Sequence, residues 1–479
     1  MTVYAFISAL IWLAVTLISR GYLGTEGFFY DLPNGQMPFG RFFILYISAF
    51  ILYLIVVIKV PEISAGRRNI FIVIAAAILF RLILLPGVPV HENDVYRYIW
   101  DGRVSVSGIN PYKYPPIQAS IKPKVDDLGP RSDSSDLETG LKPVSTVIGV
   151  DFERLKSIRD ENPKFYRRIS FKDIPTIYPP FTQAVFAIST LLAPGSILFM
   201  KFIFVLFDMA VVFLLYMILK VMKRNPLYIV VYAWNPLVLK EFANSGHYDA
   251  LAICCVMAAA YLVLKEKYLF SSISLGLGVL SKFYPVIFLP FFILKKQYKA
   301  VFICLAVIAA GYLPFFIWGS IDPKAVFTGF GTYTQEWANN GFIYKFIYSL
   351  SQTFDNDPYM FSKVLCGSIF IAIWIFIYFN KQDLIDKMFR AVTAMFLLSP
   401  VGDPWYFCWV VPFLSVYRKF SLIILSGLLI LHYFIFTRNF GSMIIGKFKI
   451  DNLLLMQYVP FYLFLIGERF YRRAKYPYG

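Results

Sequence analysis

Residues 70–116 read IFIVIAAAILFRLILLPGVPVHENDVYRYIWDGRVSVSGINPYKYPP, and they join an apolar run directly to a polar, aromatic stretch. The second part, His91 to Pro116, carries three acids, two arginines, four tyrosines and one tryptophan. Charged groups are costly to hold at the end of a membrane span, so this stretch predicts a functional site. The alternative is an interfacial helix whose rings belong to an aromatic belt. A belt accounts for the rings but leaves the charged side chains unexplained.

The rest of the chain has the composition of a membrane protein. Of its 479 residues, 58% are hydrophobic and 19% aromatic, and the mean hydropathy is +0.62. Apolar runs recur along nearly the whole length, which predicts an all-α polytopic membrane protein with about 12 to 14 transmembrane helices. Much of the net charge of +17 lies in Lys and Arg clusters at span ends, as the positive-inside rule favours, so it does not indicate a nucleic-acid partner. The five cysteines lack the spacing of a disulfide framework or a zinc site.

The breaks between apolar runs divide the chain into three parts. Residues 1–90 are expected to form three spans, residues 91–180 an extracytoplasmic catalytic loop and cap, and residues 181–479 the remaining bundle with a cytoplasmic C-terminal tail. Residues 117–176 are polar and too long for a simple connector, so they predict either an ordered cap or a mobile lid. The chain is therefore expected to be a multi-pass protein of the cell membrane.

Four polar, aromatic stretches, called here the polar corners, fall on the extracytoplasmic side under this topology. Several helices that flank them are shorter than the roughly 20 residues that a crossing needs. Short helices are tolerated where their ends line a water-filled cavity, so the sequence predicts a recessed extracytoplasmic site. The polar corners are His91–Pro116, Asn244–Asp249, Ser281–Pro285 and Gly402–Tyr406.

Glu92 and Asp94 are the first candidates for chemistry. Two carboxylates at i and i+2 in a helix mouth can serve as general base or as metal ligands, or only one of them can act. We expect Asp94 to be the base, held ionised by Arg97 three residues on, and Glu92 to support it. The alternative is an ion pair that orients a helix N-terminus. Asp101 is expected to be structural, paired with Arg97 or Arg103.

Side chains in the other polar corners predict ligand contacts, each with a structural alternative. Lys282 either reaches a phosphate in the cavity or extends to lipid headgroups. His247, with Asp249 two residues on, either contacts a phosphate or sugar or forms a hydrogen-bonded corner. Trp405 and Tyr406 form either a stacking platform for a sugar or part of the membrane belt.

Five motifs follow one another across most of the chain. They are D-x-Y-R-Y-x-W-D-G-R-V…G-I-N-P-Y-x-Y-P-P (Asp94 to Pro116), I-Y-P-P-x-x-Q (Ile177 to Gln183), W-N-P-L…G-H-x-D-A (Trp234 to Ala250), S-K-F-Y-P (Ser281 to Pro285) and P-W-Y-x-x-W-x-x-P (Pro404 to Pro412). Together they resemble bacterial polyprenyl-phosphate-mannose-dependent mannosyltransferases, which belong to the GT-C superfamily of membrane glycosyltransferases. Residues 118–171 lie outside the resemblance.

The resemblance implies a GT-C type fold and an inverting transfer on the outer membrane face. The donor would be a polyprenyl-phosphate sugar, with mannose expected, and the acceptor a glycan or glycolipid. Asp94 matches the family's acidic base in the first large outer loop, with Glu92 beside it. Lys282, with His247 or Arg103, would stabilise the leaving phosphate. Metal use varies across the superfamily, so a divalent cation such as Mg or Mn at Glu92 and Asp94 stays open.

The remaining expectations concern donor contacts and the alternative function. Gly402-Asp403-Pro404 stands where the family more often has His-Pro. His432 lies alone in an apolar helix and is expected to be a packing histidine. A transporter or flippase of a lipid-linked sugar would place its charges near the midplane of repeated, broken helices, and no repeat is visible. Besides donor and acceptor, membrane lipids are the expected partners. The residues expected to bind the donor phosphate or sugar are Arg97, Arg103, Lys282, His247, Asp249, Tyr98, Tyr112, Tyr178, Trp405 and Tyr406.

Overall fold

The structure, a computed structural model, describes residues 1–23, 38–120, 150–318, 322–437, 442–445 and 448–475. Its first eleven helices are α1 (Thr2–Ser19), α2 (Phe39–Lys59), α3 (Arg67–Leu84), α4 (Asp94–Val106), α5 (Val150–Glu161), α6 (Pro163–Arg168), α7 (Pro180–Leu192), α8 (Ile197–Val221), α9 (Val230–Ala233), α10 (Pro236–Val238) and α11 (Asp249–Leu264). The later ones are α12 (Tyr268–Val279), α13 (Phe291–Leu294), α14 (Tyr298–Ile317), α15 (Thr328–Glu336), α16 (Phe342–Ser351), α17 (Pro358–Phe379), α18 (Leu384–Leu398), α19 (Pro404–Phe407), α20 (Val411–Tyr417), α21 (Phe420–Leu428) and α22 (Asn452–Lys475).

Tighter and wider helical turns join these helices at several points. The 3₁₀ segments are Val60–Glu62, Pro116–Ser120, Pro226–Ile229, Tyr284–Phe288, Pro323–Phe327 and Leu429–Thr437, and Leu239–Ser245 is a π-helix. Within the described residues the only sheet is an antiparallel hairpin of β1 (Ser442–Ile445) and β2 (Phe448–Asp451), in which Met443 lies opposite Ile450. The predicted all-α fold is therefore confirmed, apart from this short hairpin.

Six of these helices, α1, α2, α8, α14, α17 and α22, are long and apolar enough to cross a membrane. Only 17% to 44% of the apolar window of each is buried inside the protein, so most of their apolar surface faces outward. That arrangement is stable in lipid and costly in water. Five further apolar helices have 10–17 residues, too short to cross unaided. The polytopic class is confirmed, and the count of about 12 to 14 spans stays a prediction.

Helix α3 carries a buried ion pair. The guanidinium Nε of Arg81 lies 2.6 Å from Asp208 Oδ2 of α8, and both side chains are fully buried. Arg81 also donates to the Ala233 carbonyl (2.8 Å), and the Tyr232 hydroxyl donates to Asp208 Oδ1 (2.7 Å). Because each charge has several partners, the pair joins α3, α8 and α9 in the low-dielectric interior.

The apolar run Leu227–Leu239 predicts a span, but the structure shows a broken and buried segment there. Every residue from 227 to 250 is buried. Two Asn-Pro pairs break the helix: the Asn225 and Asn235 side chains accept hydrogen bonds from the next-but-one backbone N–H, and each following proline begins a new turn. The prediction was wrong here because hydropathy does not distinguish a lipid-facing helix from a core segment enclosed by other helices.

Helix α4 is nearly enclosed by protein. It packs against α7 and α8, and its residues Val95 to Gly102 are all buried. Gly102 is required at the crossing with α7, because a Cβ there would lie 2.5 Å from the Phe186 carbonyl oxygen. An interfacial belt helix would leave one face open, so the structure favours the functional-site interpretation of this stretch.

The described part of the predicted cap is ordered. Helices α5 and α6 lead into residues 169–175, which lie over the start of α4. The Asn93 amide donates to the Arg168 carbonyl (3.0 Å) and accepts from the Ser170 hydroxyl (3.0 Å), and Arg97 donates to the Ile174 carbonyl (3.0 Å). The cap is thus tied to the turn that precedes Asp94. Residues 121–149, the rest of the predicted cap, lie outside the described residues.

Candidate functional site

Residues of all four polar corners meet around one cavity of about 420 Å³, called here the chamber. The convergence expected from the sequence is present in the structure. The chamber is lined by His91, Glu92, Asn93, Asp94, Arg97, Tyr98, Ser170, Phe171, Ile174, Pro175, Ile177, Tyr178, Tyr248, Lys282, Tyr333, Trp337, Asn339, Asp403, Trp405, Tyr406, His432 and Ile435.

Asp94 is the first residue of α4, and its side chain is 32% exposed to the chamber. The positive end of the helix dipole favours a carboxylate at this position. The Tyr98 hydroxyl, one turn on, donates a long hydrogen bond of 3.5 Å to Asp94 Oδ2. Burial raises the pKa of Asp94 from 3.8 to about 6, and the Lys282 ammonium opposes that rise. Asp94 is therefore ionised at neutral pH and more basic than an ordinary aspartate.

Two further carboxyl groups line the chamber, and their surroundings differ from that of Asp94. Burial raises the pKa of Glu92 well above its usual range, with Lys240 opposing it. Asp403 is 7% exposed, and burial, followed by the negative charge of Asp94, raises its pKa to about 8. Asp403 favours the protonated form at neutral pH, and the pKa of Glu92 is shifted in the same direction. Asp94 is thus the one carboxylate of the three that is suited to accept a proton.

His247 lies behind the chamber wall, between the acids. It is 1% exposed, and its ring stacks on Trp405 with centroids 4.3 Å apart. Its Nδ1 is 4.0 Å from Asp94 Oδ2, and its Nε2 is 3.9 Å from Glu92 Oε2 and 3.4 Å from Glu241 Oε2. The imidazole is therefore placed to orient the carboxyls and the Trp405 ring, and Trp405 covers it from the chamber.

Lys282 is a cation of the chamber wall, and it lies among aromatic rings. Its ammonium pairs with Asp249 Oδ1 at 2.5 Å, and Trp409 Nε1 donates to the same oxygen (2.6 Å). The ammonium also lies 4.3 Å from the centroid of the Tyr406 ring and 4.9 Å from that of Tyr248. Asp249 itself is fully buried, so its role is to hold Lys282.

A second, more apolar cavity of about 280 Å³, called here the side cavity, adjoins the chamber. Its wall includes Phe283, Phe330, Met395 and Phe396. The residues common to both cavities are Ile177, Tyr248, Lys282, Tyr333 and Tyr406. Lys282 thus lies at the boundary between a polar and an apolar compartment.

Besides His247 and Asp249, three further residues of the expected donor-binding set have other partners. Arg97 lines the chamber, but its Nε pairs with Asp101 (2.9 Å), not with Asp94, because a spacing of i, i+4 brings the two side chains together on α4. Arg103 pairs with Glu161 of the cap and is absent from the chamber wall. The Tyr112 hydroxyl donates to the Tyr178 carbonyl (2.6 Å), which places Tyr112 one layer behind Tyr178.

Several chamber residues were not anticipated. His432, expected to pack in an apolar helix, lines the chamber with its Nε2 at 3.7 Å from Asp403 Oδ1. Asp403 lies within a polar corner, so its place in the chamber could have been predicted from the sequence. Tyr333, Trp337 and Asn339 come from the aromatic, Gly-rich stretch that follows α14, and no local pattern in it indicates an approach to the chamber.

The chamber residues do not fit a metal site. Within the described residues no group of three or more His, Cys, Asp or Glu side chains is placed to hold a metal ion. The Lys282 ammonium already acts on the Asp94 carboxylate. No step of the proposed reaction is assigned to a metal ion.

The fold and the chamber define a class: a multi-pass helical membrane protein with a deep site that combines a basic carboxylate, a buried ammonium and aromatic faces. Residues 176–400, just under half of the chain, match the model of glycosyltransferase family 87. The match indicates a membrane glycosyltransferase. It includes His247, Asp249 and Lys282, whereas Asp94 and Trp405 lie outside it. No curated protein and no solved structure matches the chain.

Proposed function

We propose that the chain transfers a sugar, mannose in the first instance, from a polyprenyl-phosphate donor to an extracytoplasmic glycan or glycolipid acceptor, with inversion. The observation that carries the proposal is the position of Lys282 between the chamber and the side cavity, with Asp94 across the chamber. A lipid-linked sugar phosphate has the matching order of parts: a sugar, an anion and an apolar tail. The sequence motifs support mannose as the sugar.

In this mechanism Asp94 is the general base. It takes the proton of the acceptor hydroxyl, whose oxygen attacks the anomeric carbon as the bond from that carbon to the phosphate oxygen breaks. The electron pair of that bond leaves with the polyprenyl phosphate. Lys282 stabilises the charge that grows on the phosphate, because a positive charge that is already in place needs no rearrangement as the reaction proceeds. His247 and Asp249 are positioning residues for Asp94 and Lys282.

The extracytoplasmic face is supported by the charge pattern of the chain. Under the predicted topology the basic helix ends, such as Lys223-Arg224, Lys295-Lys296 and Arg418-Lys419, lie opposite the polar corners. The positive-inside rule then assigns these basic ends to the cytoplasm.

The test is transfer of radiolabelled mannose from polyprenyl-phosphate mannose in membranes of the source organism, which contain the acceptor. Asp94→Asn is expected to lower the transfer rate by about 10² to 10⁴-fold, the usual contribution of a general base. Asp160→Asn, which removes an exposed cap carboxylate paired with Arg159, is the matched control and should transfer at the wild-type rate. Equal rates in wild type and Asp94→Asn, at equal expression, would refute the role of Asp94, and Glu92→Gln would then be tested.

A further inference from the structure

A pair of tyrosine hydroxyls lies at the boundary between the chamber and the side cavity. Tyr333 and Tyr406 both line the two spaces, and their hydroxyl oxygens are 2.8 Å apart, joined by one hydrogen bond. The Lys282 ammonium lies 4.3 Å from the centre of the Tyr406 ring. The pair, called here the tyrosine pair, is therefore next to the cation to which the proposed reaction assigns the phosphate.

The tyrosine pair has one hydroxyl proton left to give. Two hydroxyls carry two protons, and the hydrogen bond between them uses only one of these. Within the described residues neither oxygen has a second hydrogen-bond partner. Burial raises the pKa of both phenols above the ordinary value, so both keep their protons at neutral pH. The second O–H is therefore available to a molecule that occupies the cavities.

The backbone that carries Tyr333 is fixed at both ends of α15. At the start of the helix, a Cβ on Gly329 would lie 2.5 Å from the Pro175 carbonyl oxygen, so only glycine permits this packing. At its end, Lys363 of α17 donates to two carbonyls of the last turn (3.0 and 2.6 Å), and the Tyr359 hydroxyl donates to a third (2.6 Å). The helix itself leaves these carbonyls without partners. Tyr333 is thus held in place before any ligand binds.

Tyr406 and Lys282 are held by the same neighbour, Trp409. The Tyr406 ring stacks on the Trp409 ring with centroids 4.5 Å apart, and Trp409 Nε1 donates to the Asp249 carboxylate that pairs with Lys282. Hydrogen bonds of about 2.8 Å on either side let one phosphate group join donors that are roughly 7–8 Å apart. Because the Tyr406 hydroxyl is at the edge of a ring whose centre is 4.3 Å from the ammonium, a single phosphate can reach both groups.

We propose that the tyrosine pair donates a hydrogen bond to the phosphate of the lipid-linked donor, alongside Lys282. The proposal rests on the proposed function, because it takes the boundary between the cavities as the place of that phosphate. Lys282 supplies a charge there, and the tyrosine pair supplies a directed O–H donor. As the bond to the sugar breaks, the phosphate gains negative charge, so this hydrogen bond strengthens in the transition state and in the lipid phosphate that leaves.

The test measures binding of farnesyl phosphate, a short polyprenyl phosphate, to the full chain in detergent by calorimetry, with farnesol as the uncharged reference. Tyr333→Phe/Tyr406→Phe removes both hydroxyls and keeps both rings. It should weaken farnesyl phosphate binding by about tenfold to hundredfold, the effect of one hydrogen bond to a charged group, and leave farnesol binding unchanged. Tyr261→Phe/Tyr268→Phe is the matched control and should bind as the wild type does, because neither residue lines the chamber or the side cavity.

Transfer kinetics of the single variants give a second measurement, which decides the matter if the double variant does not fold. Tyr333→Phe and Tyr406→Phe each keep one hydroxyl but lose the hydrogen bond that orients it. Each should lower kcat/KM for the donor by about threefold to tenfold, the effect of one neutral hydrogen bond, and leave KM for the acceptor unchanged. An unchanged kcat/KM for the donor in both variants would contradict the proposal.

The outcomes separate this inference from the proposed function. Wild-type affinity for farnesyl phosphate in the double tyrosine variant, or equal weakening of farnesyl phosphate and farnesol, would overturn the phosphate contact. If Lys282→Met/Asp249→Asn then loses farnesyl phosphate and keeps farnesol, the proposed function stands without the tyrosine pair. A wild type that binds farnesyl phosphate no better than farnesol would refute both. Selective loss of farnesyl phosphate in the double tyrosine variant, in a chain that transfers no sugar from a lipid phosphate, would keep the contact and refute the proposed function.

Discussion

The pH dependence of transfer tests the assignment of the chamber carboxyls directly. Because burial raises the pKa of Asp94 from 3.8 to about 6, its base form is lost as the pH falls through that value. A group with that pKa is about nine-tenths ionised at pH 7 and about one-tenth ionised at pH 5, so the rate should fall by about tenfold between them. An aspartate of ordinary pKa would lose less than about a tenth of its base form over the same interval.

At alkaline pH the transfer rate is expected to depend on the ionisation of Asp403. Its pKa is raised to about 8, by burial first and by the Asp94 charge second, so it is protonated and uncharged at pH 7. Above pH 8 it becomes an anion in the chamber and repels the donor phosphate, so kcat/KM for the donor should fall. Asp403→Asn cannot ionise and should keep its activity at high pH.

The assay measures initial rates from pH 5 to pH 9 at constant ionic strength and saturating acceptor. The midpoints belong to the coupled carboxyls, so the informative result is the difference between wild type and Asp403→Asn. The acid limb should be nearly the same in both, because Asp403 is neutral there, and the alkaline limb should disappear in the variant. An acid midpoint below about pH 5, or an alkaline fall that persists in Asp403→Asn, would refute the reasoning.

Three further predictions concern the supports of the site. Lys282→Met should destabilise the protein by about 3–5 kcal/mol in thermal unfolding, because the Asp249 carboxylate is left buried and unpaired, and Lys282→Met/Asp249→Asn should recover stability without transfer. Asn244→Ala removes the hydrogen bonds that Asn244 makes with Val88 O (3.0 Å) and Val90 N (2.9 Å) in the turn before Asp94. Steady-state kinetics should then show a reduced kcat with a donor KM near the wild-type value. An unchanged kcat would contradict this prediction. Gly102→Ala should lower the unfolding free energy by about 1–3 kcal/mol through the clash with α7, whereas Gly367→Ala in α17, where a new Cβ meets nothing within 4 Å, should not destabilise the protein.

Much of the fold follows from local pattern. The apolar runs 3–19, 197–220 and 300–318 predict spans, and helices α1, α8 and α14 begin and end within two residues of these bounds. The gathering of the polar corners could also be predicted, because topology places alternate helix ends on one face and the short helices require a recessed site. These features depend on the order and length of apolar runs, which a sequence displays directly.

What could not be predicted depends on contacts between distant segments. The broken segment 227–239 is as apolar as a span, and only its enclosure by neighbouring helices distinguishes it. The sequence offered Arg97 two carboxylates, Asp94 and Asp101. Its Nε pairs with Asp101, which also accepts from Thr176 (2.6 Å), a residue 75 positions away that no local pattern places there. The backbone of Asn339 forms a β-bridge with Val401, and its side-chain amide donates to Asp403. No local pattern in the sequence indicates this contact.

The turn between α3 and α4 explains how Asp94, the proposed base, can be held steady at the end of an apolar helix. The last carbonyls of a helix have no partner within it, and in an apolar interior each must find one. Lys201 of α8 donates to the Leu85 and Gly87 carbonyls (2.8 and 2.9 Å), and Asn244 of the π-helix pairs with Val88 and Val90. The groups that satisfy the end of α3 therefore come from the two elements that flank the site. Since each of them is fully or almost fully buried, the path from α3 to Asp94 is fixed by the same hydrogen bonds that make the turn stable.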